Sequence, residues 1–163
     1  MPIDADTYRK TLGLWATGVT IVTAKAGDTV HGMTASDFAG VSLDPPLVMV
    51  CVDKKANTLP VIEKGRNLCV NLLEASQDTL SNKFASKKEE WTRFEGLDCA
   101  TAVTGAPLIP GALASLDCNV VAMHEAGDHV IVVGQVEQVV QGEGDPLLYY
   151  DAGYRGLAGK ASS

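Results

Sequence analysis

Behind the acidic start of residues 4–6, Tyr8, Leu12 and Trp15 recur at helical spacing, which predicts a first helix over residues 4–15. Gly18 ends it. Residues 19–24 then alternate in β-branched side chains, and Gly27-Asp28 is a turn signal, so a hairpin follows with residues 30–33 as a short return strand. The stretch from His31 to Pro46 crowds small residues and hydroxyls between two strand-like segments. It reads as a ligand loop, because small side chains let a flat ligand approach the backbone closely. An ordinary polar turn has the same composition and is the alternative. Pro45-Pro46 stops any helix, and the apolar run of residues 47–52 reads as a buried strand.

Further on, Asn57 suits an N-cap, Pro60 falls in the first turn and Gly65 suits a C-terminal stop, which predicts a short helix opening at Asn57. Its N-terminus, beside Lys54 and Lys55, has the polarity for an anion such as phosphate; a capped helix with solvated lysines is the plainer reading. Residues 67–73 form another strand, and Leu80 and Phe84 mark a second helix. The polar run of residues 87–94 is the least regular part, and its Trp91 and Phe94 either pin it to the core or line a site. Residues 111–124 and 129–140 make a long hairpin around a turn at residues 125–128, and a segment with three tyrosines, residues 146–155, closes the pattern. Many hairpin-linked strands without βαβ alternation predict a mainly β fold, a closed antiparallel barrel with short peripheral helices. The chain reads as one domain over residues 1–163, ordered to about residue 156, with a flexible tail at 157–163.

Composition narrows the partners. Thirteen basic against twenty acidic residues give a net charge of −7, which opposes polyanions and argues against nucleic acid. A mean hydropathy of +0.10 fits a filled core, with or without apolar surface hidden in an oligomer. Cys51, Cys69, Cys99 and Cys118 include no CxxC pair and read as reduced core thiols, hence a cytoplasmic protein. Neither an export signal nor a membrane anchor is expected. The G-x-G-x-x-G, P-loop and G-x-S-x-G signatures are missing, and the step from His124 to His129 across a tight turn is no metal-ligand spacing. His129, at a hairpin mouth, could offer a ligand a hydrogen bond or a proton near neutral pH, or simply cap the turn.

Taken together, residues 31–38 (HGMTASDF), residues 41–48 (VSLDPPLV) and Gly127-Asp128-His129 resemble the short-chain flavin reductase family that feeds two-component monooxygenases. Residues 16–23, 69–73 and 146–150 are similar to the family's flanking strands and C-terminal segment, so the resemblance covers nearly the whole chain. It implies a homodimeric FMN-binding split β-barrel, antiparallel and Greek-key-like, that reduces FMN or FAD with NADH or NADPH and passes reduced flavin to a monooxygenase component. By matching position, Thr34, Ala35, Ser36, Asp37, Phe38, Val41 and Ser42 would line the isoalloxazine and ribityl chain. Lys55, Asn57 and Thr58 would hold phosphate together with Lys87, and His129 would contact the nicotinamide nucleotide with Tyr154 nearby. Asp37 stands where the family more usually carries a neutral polar residue. Hydride passes directly from nicotinamide C4 to flavin N5, so the resemblance implies stacking and alignment without a catalytic triad. Two other readings keep the barrel: a tightly held flavin that reduces ferric or corrinoid acceptors, and a non-catalytic flavin- or haem-binding barrel.

Overall fold

The structure is a computed structural model describing residues 3–159; residues 160–163, part of the expected tail, lie outside the described residues. Helix α1 (Ala5–Gly13) is capped by Asp4, whose carboxylate accepts from the Thr7 amide at 2.8 Å. Strands β1 (Thr17–Gly18), β2 (Thr20–Ala26), β3 (Thr29–Ala35), β4 (Phe38–Leu43) and β5 (Pro46–Asp53) follow. Next come α2 (Thr58–Gly65), β6 (Asn67–Leu72), α3 (Asp78–Ala85), a 3-10 turn at Glu90–Thr92 and the short strands β7 (Ala100–Thr101) and β8 (Pro107–Leu108). The long hairpin is β9 (Ala114–Ala126) with β10 (His129–Gln141), and a small one, β11 (Leu148–Tyr150) with β12 (Gly153–Arg155), lies against β1.

Both hairpins read from turn signals turn on Gly-Asp. Ala26 pairs Thr29 across Gly27-Asp28, and Ala126 pairs His129 across Gly127-Asp128, each glycine at a positive φ that a side chain would strain. The second turn is thus tighter than the four residues expected.

Seven strands form one antiparallel sheet in the order β3-β2-β6-β9-β10-β5-β4. Its two outermost strands are consecutive in the chain, joined only by Ser36-Asp37. Laid flat, the outer members of seven strands would stand about 29 Å apart, whereas a two-residue link spans about 11 Å at most. The sheet is therefore strongly curled. It is not closed: β3 pairs only with β2, and β4 only with β5. The expectation of a closed barrel is corrected in this respect. Helix α3 packs on β3 instead, with Thr34 Oγ1 donating to the Ser81 carbonyl at 2.6 Å.

The curl creates two principal apolar clusters. Val22, Ala24, Val50, Val52, Val70 and Val132 fill the concave side with Leu59 and Ile62 of α2, while Val19, Ile21, Leu73, Phe84 and Leu147 pack on the outside. Strand β2 contributes to both, so it is buried on both faces. Strand β5, expected as a wholly buried run, alternates: Val48, Val50 and Val52 are buried, while Leu47, Met49 and Cys51 on the opposite face are only half-buried. Two expectations differ further. Helix α1 ends before Trp15 and buries none of its residues, and the stretch from His31 to Pro46 is mostly strand, with only Ser36-Asp37 and Asp44-Pro45 outside β3, β4 and β5. Hydroxyls and small residues between β-branched neighbours are compatible with edge strands, and pairing with β2 and β5 outweighs their turn composition.

Candidate functional site

The link between the sheet edges borders two cavities that share Ser36, and a third adjoins them through Thr34. The largest, of about 550 Å3, is lined by Ser36, Asp37 and Phe38 together with Trp15, Met49 and Leu147. Its walls are mainly apolar, and Cys51 adds a thiol whose pKa is raised by burial and by the Asp37 carboxylate. The alternation of β5 explains two of these residues: the face turned away from the concave core carries Met49 and Cys51.

Ser36 also lines a second cavity of about 350 Å3, shared with Thr34, Ala35, Ser81, Asn82 and Tyr154. Tyr154 donates toward Ser81 Oγ at 2.9 Å and Asn82 Oδ1 at 3.0 Å, tying the C-terminal hairpin to α3. Phe84, fully buried, stacks edge-on to Phe94 with centroids 5.2 Å apart, which holds the polar run after α3 against β3. Phe94 therefore pins, whereas Trp91 is 80% exposed and does not.

Thr34 reaches the third cavity as well, about 180 Å3 in volume, where Lys55, Asn57 and Thr58 at the start of α2 meet Lys87, Glu90 and Arg93. Asn57 occupies the N-cap position without capping: its amide donates to Glu90 Oε2 at 2.9 Å. Thr58 is buried and bonded to His31 Nδ1 at 2.7 Å, and His31 Nε2 lies 3.2 Å from the same Glu90 oxygen. Arg93, also buried, donates to the Gly32 carbonyl at 2.7 Å and lies 3.4 Å from Glu90 Oε1. The Asn57 hydrogen bond, then the charges of Arg93 and His31, hold the Glu90 carboxyl below the usual carboxylate range, so it is ionised at neutral pH. Burial, seconded by the Arg93 charge, lowers His31.

Ten of the thirteen expected site residues thus line this run of cavities: Thr34, Ala35, Ser36, Asp37, Phe38, Lys55, Asn57, Thr58, Lys87 and Tyr154. Val41 and Ser42 sit further along β4, outside all three linings. His129 lines none of them either, but it pairs in register with Asp53, which lines the smallest. Its Nδ1 lies 2.7 Å from Asp128 Oδ1, which assigns the proton of the neutral ring to Nδ1 and leaves Nε2 as an acceptor. Glu90 and Arg93 had no role in the sequence reading, and His31 entered it only as the first residue of the loop motif. Glu90 and Arg93 fall in the irregular polar run of residues 87–94, and nothing local pairs that run with Asn57.

A large apolar slot suits a flat ring system, and three cations with helix-terminal amides suit a phosphate, so the donor set fits a flavin nucleotide. A profile described as flavin reductase like domain matches residues 12–158. The NADH-dependent flavin reductase of a Rhodococcus species is 42% identical over 152 residues, 91% of this chain and 84% of that protein. The reductase component of 4-hydroxyphenylacetate 3-monooxygenase from Thermus thermophilus is 40% identical over 153 residues, 93% of this chain and 96% of its own. The solved structure of the Streptomyces globisporus NADH:FAD oxidoreductase SgcE6 in complex with NAD and FAD fragments superposes with a TM-score of 0.91 at 35% identity, over 99% of this chain and 98% of that one. Sequence, fold and cavity chemistry agree: the chain belongs to the flavin reductase family.

Proposed function

We propose that this protein is an NADH-dependent flavin reductase that supplies reduced flavin to a partner monooxygenase. The observation that carries the reading is the continuous run of cavities along residues 34–38, apolar at one end and cationic at the other, in a chain of this family. The isoalloxazine takes the large slot lined by Phe38 and Met49, and the phosphate takes the small cavity among Lys55, Asn57 and Lys87. The reaction is one hydride transfer: two electrons and a proton leave the nicotinamide and reduce the flavin, giving NAD+. The chain contributes alignment and exclusion of water. His129, held by Asp128 at the rim of the small cavity, presents its free Nε2 to the nicotinamide nucleotide.

The curled, unclosed sheet is read as the family's split barrel and the cytoplasm as its compartment. Its assembly is read as a homodimer: Tyr8 and Leu12 of α1 are each more than half exposed and Trp15 is 75% exposed, apolar surface that a second copy would cover. Steady-state NADH oxidation with added FMN or FAD tests the activity. The rate should rise and saturate with free flavin, and an NADH oxidation indifferent to added flavin would overturn the reading. For His129→Ala we expect a KM for NADH raised several-fold with flavin affinity near wild type; unchanged KM and reduction rate would remove His129 from the site.

A further inference from the structure

Glu90 is an anomaly in a cavity assigned to an anion. Lys55, Lys87 and Arg93 would give three positive charges, yet two carboxylates, Asp53 and Glu90, share the same lining and leave a single net positive charge. Asp53 is turned to its own turn, accepting from the Lys55 amide at 2.7 Å. Glu90 is different: its Oε2 takes the Asn57 amide, a donor that a phosphate oxygen would otherwise receive. Its side chain is only 17% exposed and is fixed from both sides by His31 and Arg93, so it does not swing out of the way at no cost.

Free flavins differ most at this phosphate. FMN ends in a phosphomonoester, whose second pKa near 6 makes it close to a dianion at neutral pH. In FAD the corresponding phosphate is joined to the ribityl chain by an ester and to the second phosphate by an anhydride bond, and itself bears one negative charge. We propose that Glu90 is a specificity-determining residue that makes this cavity favour the singly charged phosphate of FAD over the terminal phosphate of FMN, an inference that rests on the flavin phosphate occupying this cavity. One net positive charge balances one negative charge, and the second charge of FMN meets the Glu90 carboxylate without a cation to match it. The exposed side chains of Lys55, Asn57 and Lys87 leave the cavity open on that edge, so the remainder of FAD has a way out.

The test is equilibrium titration of the full-length protein with riboflavin, FMN and FAD at about pH 7.5, using wild type, Glu90→Gln and Lys87→Met. Wild type should bind FAD more tightly than FMN. In Glu90→Gln the ratio of the FMN and FAD dissociation constants should fall about tenfold, with riboflavin unchanged. A second measurement needs no variant: between about pH 7.5 and pH 5.5 FMN takes up its second phosphate proton, and the wild-type ratio should shrink toward unity. Glu90, held below the usual carboxylate range, stays ionised across this interval, and burial opposes protonation of His31, so the change in the ratio reports the FMN phosphate. If Lys87→Met weakens FMN and FAD but not riboflavin while Glu90→Gln and acidification both leave the ratio within twofold, the role of Glu90 is overturned and the phosphate site stands. If Lys87→Met alters none of the three affinities, the phosphate lies elsewhere and both readings fall.

Discussion

Gly65 puts two physical accounts of one residue in direct opposition. As the last residue of α2 it has helical backbone, and the left-handed residue that ends the helix is Arg66, at φ 52°. Judged by helix propensity alone, Gly65→Ala should stabilise the protein by about 0.5–1 kcal/mol. The tertiary structure reverses the sign. A Cβ on Gly65 would collide with the Lys25 carbonyl oxygen of β2, coming within 2.9 Å of the carbonyl carbon and 3.0 Å of Asn67 Nδ2. The collision partners are backbone and a buried amide, so α2 must withdraw. What holds it there is Asn67, which accepts from the Lys25 amide at 2.9 Å and donates to the carbonyls of Lys25 at 2.8 Å and Gly65 at 2.9 Å. At about 1 kcal/mol for each lost bond, with a further penalty for leaving buried groups unpaired, the variant should lose about 2–4 kcal/mol. For a domain of this size that lowers Tm by roughly 5–10 °C. Urea and thermal denaturation of the free protein, followed by circular dichroism, measure it. A Gly65→Ala protein as stable as wild type, or more so, would refute the close-approach account and restore the role of a simple helix stop.

Three further expectations follow from buried groups. Arg93→Met deprives the Gly32 and Ser86 carbonyls of their donor and leaves Glu90 without its cation, which should cost about 2–4 kcal/mol in urea denaturation; a loss below about 1 kcal/mol would mean the guanidinium is dispensable. Phe84→Ala empties a fully buried ring site against Phe94 and should cost about 3–5 kcal/mol, with weakened flavin binding because α3 carries Ser81 and Asn82; intact affinity would uncouple α3 from the site. Burial, then the charge of Asp117, pushes the Cys118 thiol up to about 12 and raises Cys69 as well, whereas unfolded thiols ionise near 8.5. The stability these thiols preserve is complete below about pH 8.5 and falls as pH rises toward 12, by up to about 1.4 kcal/mol per pH unit for each thiol, and Cys118→Ala should flatten that slope.

Local chemistry along the chain determined which elements form. Alternation of apolar residues marks β2, β9 and β10, Gly-Asp marks their turns, helical spacing marks α1 and α3, and start and stop residues mark α2, because each signal acts within a few residues of backbone. Short motifs in a consistent order also carried the family resemblance and eight of the cavity-lining residues of the first half of the chain, Thr34 to Phe38 with Lys55, Asn57 and Thr58. Tertiary structure decided what those elements enclose. Thr34 and Ala35 became strand because β2 supplied a ladder that composition could not announce, and β5 acquired a half-buried face because the curled sheet turned Met49 and Cys51 toward a cavity. Asn57, legible as a cap, instead spends its amide on Glu90, thirty-three residues away in the chain. Gly65, legible as a stop, is there because another strand passes too close for a methyl group. In each case the deciding energy is a contact between segments far apart in sequence, and such contacts exist only once the sheet has brought its two edges together at Ser36 and Asp37.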